Sequence, residues 1–247
     1  MNPDVKEPQE SDPATPAEPA RAGLRRRLAA RRLLRAEVYY GAGVLAFAAL
    51  TAAAYFYSYF GWDLWAARAL QNLPVPRLHE FMRLASRLGD KWTPYALTGL
   101  TMLLFFSRGR KSEALCLLLS TGGSGLANRL FKLLVGRPRP HEDLVSVLTK
   151  TDPYSFPSGH VTFYVSYFGF LFFVAFAILP AGSPARRAAL LLTATPVLLI
   201  GLSRVVLGAH WPSDILGAYL MSGLWLAFSL DVYRRWKQRK GVMKAEG

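Results

Sequence analysis

Six apolar runs, each free or nearly free of charge, recur along the chain with polar segments between them. They are Val38–Phe60, Trp92–Ser107, Ala114–Val135, Val161–Pro180, Ala188–Leu207 and Ile215–Leu230. A helix needs about 20 apolar residues to cross a hydrocarbon core of roughly 30 Å. The first run reaches that length by itself. The second and sixth hold 16 residues each and need their polar flanks to complete a crossing. Arg129 and Lys132 interrupt the third run, and Arg204 stands near the end of the fifth. The pattern predicts an all-α fold, a multi-pass membrane helical bundle of six transmembrane helices.

The first interval, residues 61–91, is too long for a turn. Leu78, Phe81, Met82, Ala85 and Leu88 recur at helical spacing within it, with Arg77, Glu80, Arg83 and Arg87 mostly on other faces. This predicts an interfacial amphipathic helix between the first two spans; a helix packed on its own protein gives the same pattern. Ahead of the first run, residues 1–20 are rich in Pro, Glu and Asp without apolar periodicity, which predicts a disordered tail. Residues 21–37 form a basic juxtamembrane segment, with seven arginines between Arg21 and Arg35. The apolar stretch that follows starts too late and runs too long for a cleavable signal, so it reads as an anchor. The resulting organisation is a tail (1–20), a basic collar (21–37), a six-span domain (38–232) and a basic cytoplasmic tail (233–247).

Charge orients the bundle. With the amino terminus inside, 18 Lys and Arg fall on the cytoplasmic side and 9 outside, so both termini are expected in the cytoplasm. Trp62, Trp65, Trp92 and Trp211 then lie near the outer interface and Trp236 near the inner one. The composition agrees: 52% of residues are hydrophobic, yet the net charge is +14. Ordinary soluble domains rarely combine these. Because the cations sit between apolar runs instead of along one soluble face, the basic balance does not imply a nucleic-acid partner. The single cysteine, Cys116, excludes an intramolecular disulfide and a Cys-rich metal site.

Three polar clusters sit at span ends that an up-and-down topology brings to one membrane face. The first is "KLLVGRPRP", with Lys132, Arg137, Arg139 and Pro140; the second is "PSGH", Pro157 to His160. The third is "SRVVLGAHWPSD", with Ser203, Arg204, His210 and Asp214. Singly, each residue has an ordinary reading: a snorkelling lysine, an arginine on lipid headgroups, an interfacial histidine, a carboxylate at a helix start. Together, ionisable groups at neighbouring span ends point to a site. Lys132, Arg139 and Arg204 are three cations able to hold phosphate oxygens, two of them bidentately. Ser158 and Gly159 open a helix whose free N–H groups suit an anion. His210 and Asp214, four apart, suit a carboxylate that sets the imidazole tautomer and leaves the other nitrogen nucleophilic. His160 can protonate a leaving oxygen and later deprotonate water. No carboxylate cluster suggests a two-metal centre, so the cations stand in for the metal.

At these residues the sequence resembles the type-2 phosphatidic acid phosphatase family, the integral-membrane branch of the superfamily that includes bacterial acid phosphatases and vanadium haloperoxidases. That family's signature, K-x6-R-P, P-S-G-H and S-R-x5-H-x3-D, is matched at all 11 positions in the same order. The likeness covers roughly residues 62–230. It implies a metal-independent, cofactor-free lipid phosphatase with a six-span core. His210 would form a phosphohistidine, oriented by Asp214, with His160 as acid and then base. Lys132, Arg139, Arg204, Ser158 and Gly159 would hold the phosphoryl group, with Pro140, Pro157 and Ser203 as structural motif positions. Arg137 is not a signature position and is expected to be peripheral; His141 reads as a solvated loop residue. The family's substrates include phosphatidic acid, phosphatidylglycerol phosphate, undecaprenyl diphosphate and lipid A 1-phosphate. The expected setting is a bacterial cytoplasmic membrane with the site facing outward and the bilayer as partner. Transfer of the phosphate to another lipid, or lipid binding without catalysis, are the competing functions.

Overall fold

The structure is a computed structural model that describes residues 18–149 and 152–245, with side chains over 37–149 and 152–238. The tail expected over 1–20 therefore lies, except for its last three residues, outside the described residues, as do the side chains of Arg21–Arg35. The chain divides into two compact units, residues 1–42 and 43–247. In the first, the described backbone is helical from Glu18 onward, within α1 (Glu18–Phe56).

The second unit continues with α2 (Gly61–Gln71), α3 (Leu78–Ser86), α4 (Thr93–Ser107), α5 (Lys111–Leu118), α6 (Ser124–Val135), α7 (Gly159–Ile178), α8 (Pro184–Val206) and α9 (Pro212–Ala245). A single 3-10 turn, Arg87–Gly89, follows α3. Among the described residues there is no strand, only an isolated antiparallel bridge between Pro138 and Tyr154. Among the described residues, four helical stretches are long and apolar enough to cross a membrane: Glu37–Phe56, Gly159–Ile178, Pro184–Val206 and Pro212–Gln238. Large apolar side chains such as Leu192 and Leu198 stand about three-quarters exposed on α8, an arrangement suited to lipid and not to water.

α7 is apolar on every side, and such a helix belongs in the middle of a bundle. It packs along α8 and α9 and also meets α6. Val161, Tyr164 and Val165 of α7 form the main core with Ile200 and Val205 of α8 and Trp211, Ile215 and Ala218 near the start of α9. Tyr167, Phe170 and Val174 extend that packing toward Tyr233 and Leu117 at the opposite end. Phe47 and Ala54 pack with Val135, Phe156 and Met221. The apolar surface thus removed from water or lipid by α7 is what positions its first turn, where the site lies.

The third apolar run is one helical path broken by a π turn, Leu119–Gly123, between α5 and α6. The cause is local. Trp225 donates its indole N–H to the Leu119 carbonyl at 2.9 Å, and a Cβ on Gly123 would come within 2.3 Å of the Trp225 ring. An inserted side chain that takes a ladder carbonyl is a known origin of such bulges. The interval 61–91 holds two short helices, and its apolar stripe divides. Leu78 and Met82 are buried with Val206 and Leu207 of the α8 end, whereas Phe81 and Leu88 remain exposed.

Candidate active site

The three clusters do converge. Lys132, Arg139, Gly159, His160, Arg204 and His210 line one cavity of about 1260 Å³. The same cavity is also lined by Leu84 of α3, Tyr95 and Met102 of α4, Leu118 of α5 and Phe163 of α7, with the charged Arg83, Asp90 and Arg129 among them.

Chain geometry explains why two neighbouring arginines do different work. α6 stops at Gly136, which takes a left-handed conformation (φ 60°) that a residue with a Cβ adopts only at a cost. The segment after it runs extended, Pro138 bridging Tyr154 and Ser155 donating its N–H to the Arg137 carbonyl at 2.8 Å. In extended backbone alternate residues point to opposite sides. Arg139 therefore faces the cavity while Arg137 turns inward. Arg137 was expected to be peripheral; that expectation is corrected, because its side chain is fully buried between two carboxylates. It reaches Asp214 Oδ1 at 2.6 Å and Asp63 Oδ2 at 3.1 Å. It also donates to Ser213 Oγ (2.7 Å) and the Tyr57 carbonyl (3.1 Å).

His210 lies in the short link between α8 and α9. Gly208 makes that link possible: its φ is +67°, and a Cβ there would sit 2.0 Å from the Ser146 carbonyl oxygen. The amides of Ala209 and His210 then return to the Arg204 carbonyl. Arg139 Nη1 stands 3.0 Å from His210 Nε2. A guanidinium is only a donor, so neutral His210 accepts at Nε2 and carries its proton on Nδ1. Nδ1 faces Ser155 Oγ at 3.4 Å and Asp214 Oδ2 at 3.6 Å. The carboxylate does not bond the ring directly as the spacing suggested; Ser155 stands at the junction and donates to Asp214 Oδ2. That oxygen also accepts the Trp211 N–H at 2.8 Å, capping α9. Burial, and then the Arg139, Lys132 and Arg204 charges, push the His210 imidazole well below its ordinary range.

α7 begins at Ser158, an extended N-cap, so Gly159 and His160 are the first helical residues. Asn128 of α6 holds this turn in place, donating to the Pro157 carbonyl and to Thr162 Oγ1, both at 3.1 Å. Lys132 Nζ donates to the Tyr154 carbonyl at 2.6 Å. Arg139 Nη1 also donates to the Ala209 carbonyl at 2.5 Å, and its Nε donates to the Asp152 carbonyl. Arg204 is buried and meets Ser86 Oγ at 3.3 Å. The buried Ser158 Oγ, Ser203 Oγ and Arg204 Nε have no hydrogen-bond partner among the described residues. Pro140 and Pro157 are buried in the loop between α6 and α7. His141 is exposed and its ring pairs with Asp143, in keeping with a solvated loop residue.

Sequence reasoning missed four residues here. Asp90, at the end of the 3-10 turn, bonds His160 Nε2 at 2.8 Å; that contact is the main reason its carboxyl is held below the usual range. Asp63, Ser155 and Ser213 complete the buried network, Asp63 accepting from both the amide and the hydroxyl of Ser213. The available signal was weak: lone carboxylates in "FGWDLW" and "GDKW", one serine just before the second cluster and another inside the third. Among the described residues no three His, Cys, Asp or Glu side chains converge in a metal-holding group.

The chain is similar to several known proteins. The family model described as the PAP2 superfamily matches residues 113–238. Lipid A 1-phosphatase of Rhizobium etli is 34% identical over 119 residues, which are 45% of this chain and 47% of that protein. The chain thus spans about half the length of that relative. Phosphatidylglycerophosphatase B of Bacillus subtilis is 28% identical over 165 residues, 66% of this chain and 78% of that one. The crystal structure of a transmembrane PAP2-type phosphatidylglycerolphosphate phosphatase from Bacillus subtilis superposes with a TM-score of 0.68. It covers 79% of this chain and 96% of its own at 24% identity, a likeness of fold.

Proposed function

The chain belongs to the PAP2 superfamily, and we propose that it is an integral-membrane phosphatase that removes a phosphate from a membrane lipid by way of a phosphohistidine. The observation that carries this is one cavity with two kinds of wall. Lys132, Arg139, Arg204 and the first turn of α7 line it with His210, and Leu84, Tyr95, Met102, Leu118 and Phe163 line the same cavity. A phosphate suits the first wall and acyl chains the second. Ser158 Oγ and Arg204 Nε, buried without partners, are donors that a phosphoryl group would satisfy.

In the reaction His210 Nε2 attacks phosphorus. An N–P bond forms, the ester P–O bond breaks, and the lipid oxygen takes a proton from the His160 imidazolium, whose charge Asp90 stabilises. His160, now neutral, takes a proton from water as that oxygen attacks phosphorus; the N–P bond breaks and phosphate leaves. Arg139 must move its Nη1 from His210 Nε2 to a phosphoryl oxygen, which frees the nucleophile as substrate binds. The three cations supply the electrostatic stabilisation that a metal would otherwise give. Six spans with both termini cytoplasmic remain our reading, supported by the four long apolar helices, the shorter apolar Thr93–Ser107 and the continuous path from α5 to α6. In that arrangement the site faces the outside of a bacterial cytoplasmic membrane, and the exposed Phe81 and Leu88 of the α3 region lie at the interface.

The test is purified protein in detergent with a panel of lipid phosphates, with EDTA and vanadate as controls. The expected result is phosphate release insensitive to EDTA and blocked by vanadate. His210→Ala should insert normally yet release no phosphate; turnover at the normal rate in that variant would refute the mechanism.

A further inference from the structure

We propose that Arg137 and Asp63 form a buried positioning pair that sets the orientation and charge of the Asp214 carboxylate, with Ser155 carrying its influence to His210. The inference rests on the phosphohistidine reading above. The guanidinium is committed on every side. Nη1 serves Asp214 Oδ1 and Ser213 Oγ, Nη2 serves Asp63 Oδ2, and Nε serves the Tyr57 carbonyl. Its Cζ also lies 5.0 Å from the Phe60 ring centroid. None of these groups belongs to the wall of the cavity, so Arg137 acts on the reaction only through Asp214.

Asp63 makes this more than an anchor. With Asp214 alone, Arg137 would neutralise the charge that must stabilise the His210 ring as it becomes cationic on phosphorylation. Asp63 balances the guanidinium instead, and Ser213 locks Asp63 in place through its amide at 2.8 Å and its hydroxyl at 2.7 Å. Asp214 Oδ1 is then pinned by Arg137, and Oδ2 is left to the Trp211 N–H, Ser155 and the histidine. The pair also ties the first turn of α2 to the start of α9, so the dyad rests on three elements of the fold.

Removing Arg137 leaves two buried carboxylates without a cation and removing Asp63 leaves Asp214 neutralised by Arg137, whereas removing both restores the cluster's native net charge, one carboxylate's worth. The experiment measures kcat, KM and vanadate inhibition on a short-chain phosphatidic acid in detergent for Arg137→Gln, Asp63→Asn, the double variant, Arg137→Lys and Ser155→Ala. Arg137→Gln should lower kcat about 100-fold with KM and vanadate inhibition little changed, since Lys132, Arg139 and Arg204 are untouched. The double variant should recover about 10-fold over Arg137→Gln. Lysine should not rescue, because an ammonium cannot reach all four acceptors as a fork does. Ser155→Ala, a small change that folds more readily, should lower kcat about 10-fold with KM unchanged. A double variant no better than Arg137→Gln would reduce the pair to a structural role and overturn the proposal. So would a normal kcat in Ser155→Ala and Asp63→Asn, should Arg137→Gln not fold. Failure of the underlying reading looks different: there His210→Ala would keep its activity, whatever Arg137 does.

Discussion

Gly89→Ala tests the placement of His160 by steric means alone. Gly89 ends the 3-10 turn that carries Asp90, and its backbone is not in the left-handed region, so alanine costs little there in conformation. The added Cβ, however, would lie 2.4 Å from His160 Cδ2 and 3.1 Å from Nε2. Ordinary contact begins at 3.4 Å, so the ring must retreat by about 1 Å, which breaks the 2.8 Å bond to Asp90. A reacting group displaced by about 1 Å costs on the order of 100-fold in rate, or about 2.7 kcal/mol of barrier. Stability should fall by no more than about 1–2 kcal/mol, because a ring edge yields more easily than backbone. The assay is kcat and KM beside thermal unfolding, with Gly223→Ala as control, where a Cβ meets nothing within 4 Å. Gly89→Ala should lose kcat and keep KM. In a His160→Ala background it should cost nothing further, since the two changes act through one ring. A folded Gly89→Ala protein with more than half the normal kcat would refute the assignment of His160 as proton donor in this position.

Gly208→Ala should behave in the opposite sense. The Ser146 carbonyl 2.0 Å from the new Cβ is backbone, and φ is +67°, so a loss of roughly 3 kcal/mol or more in stability is expected, read as a lower unfolding temperature before any rate is measured. The pH profile tests His210. Its pKa is depressed by burial, then by Arg139, Lys132 and Arg204, so the neutral nucleophile persists below about pH 6.5 and the acid limb of kcat/KM falls under that value. The linked stability has the same sign: it is full above about pH 6.5 and declines as the pH drops from there, because the unfolded chain takes up the proton first. Arg139→Gln, removing the second cause of the shift, should move the acid limb upward.

By itself the sequence determined the helical class and the cations and histidines that line the cavity. Apolar runs of membrane length and a bias of basic flanks are local properties, and so are Lys132–Arg139 and His210–Asp214, set by spacing along one segment. The supporting residues depend on contacts that no local spacing encodes. Asp63 meets Arg137 across 74 residues and Ser213 across 150; Asp90 meets His160 across 70. Whether Arg137 or Arg139 faces the cavity depended on the extended path after Gly136, a parity that only the bridge to Tyr154 establishes. The π turn likewise needed Trp225 from a distant helix. A buried charge must be matched by a partner wherever the fold brings one close enough, and so tertiary packing alone decided that Arg137 lies against Asp214 and Arg139 against His210.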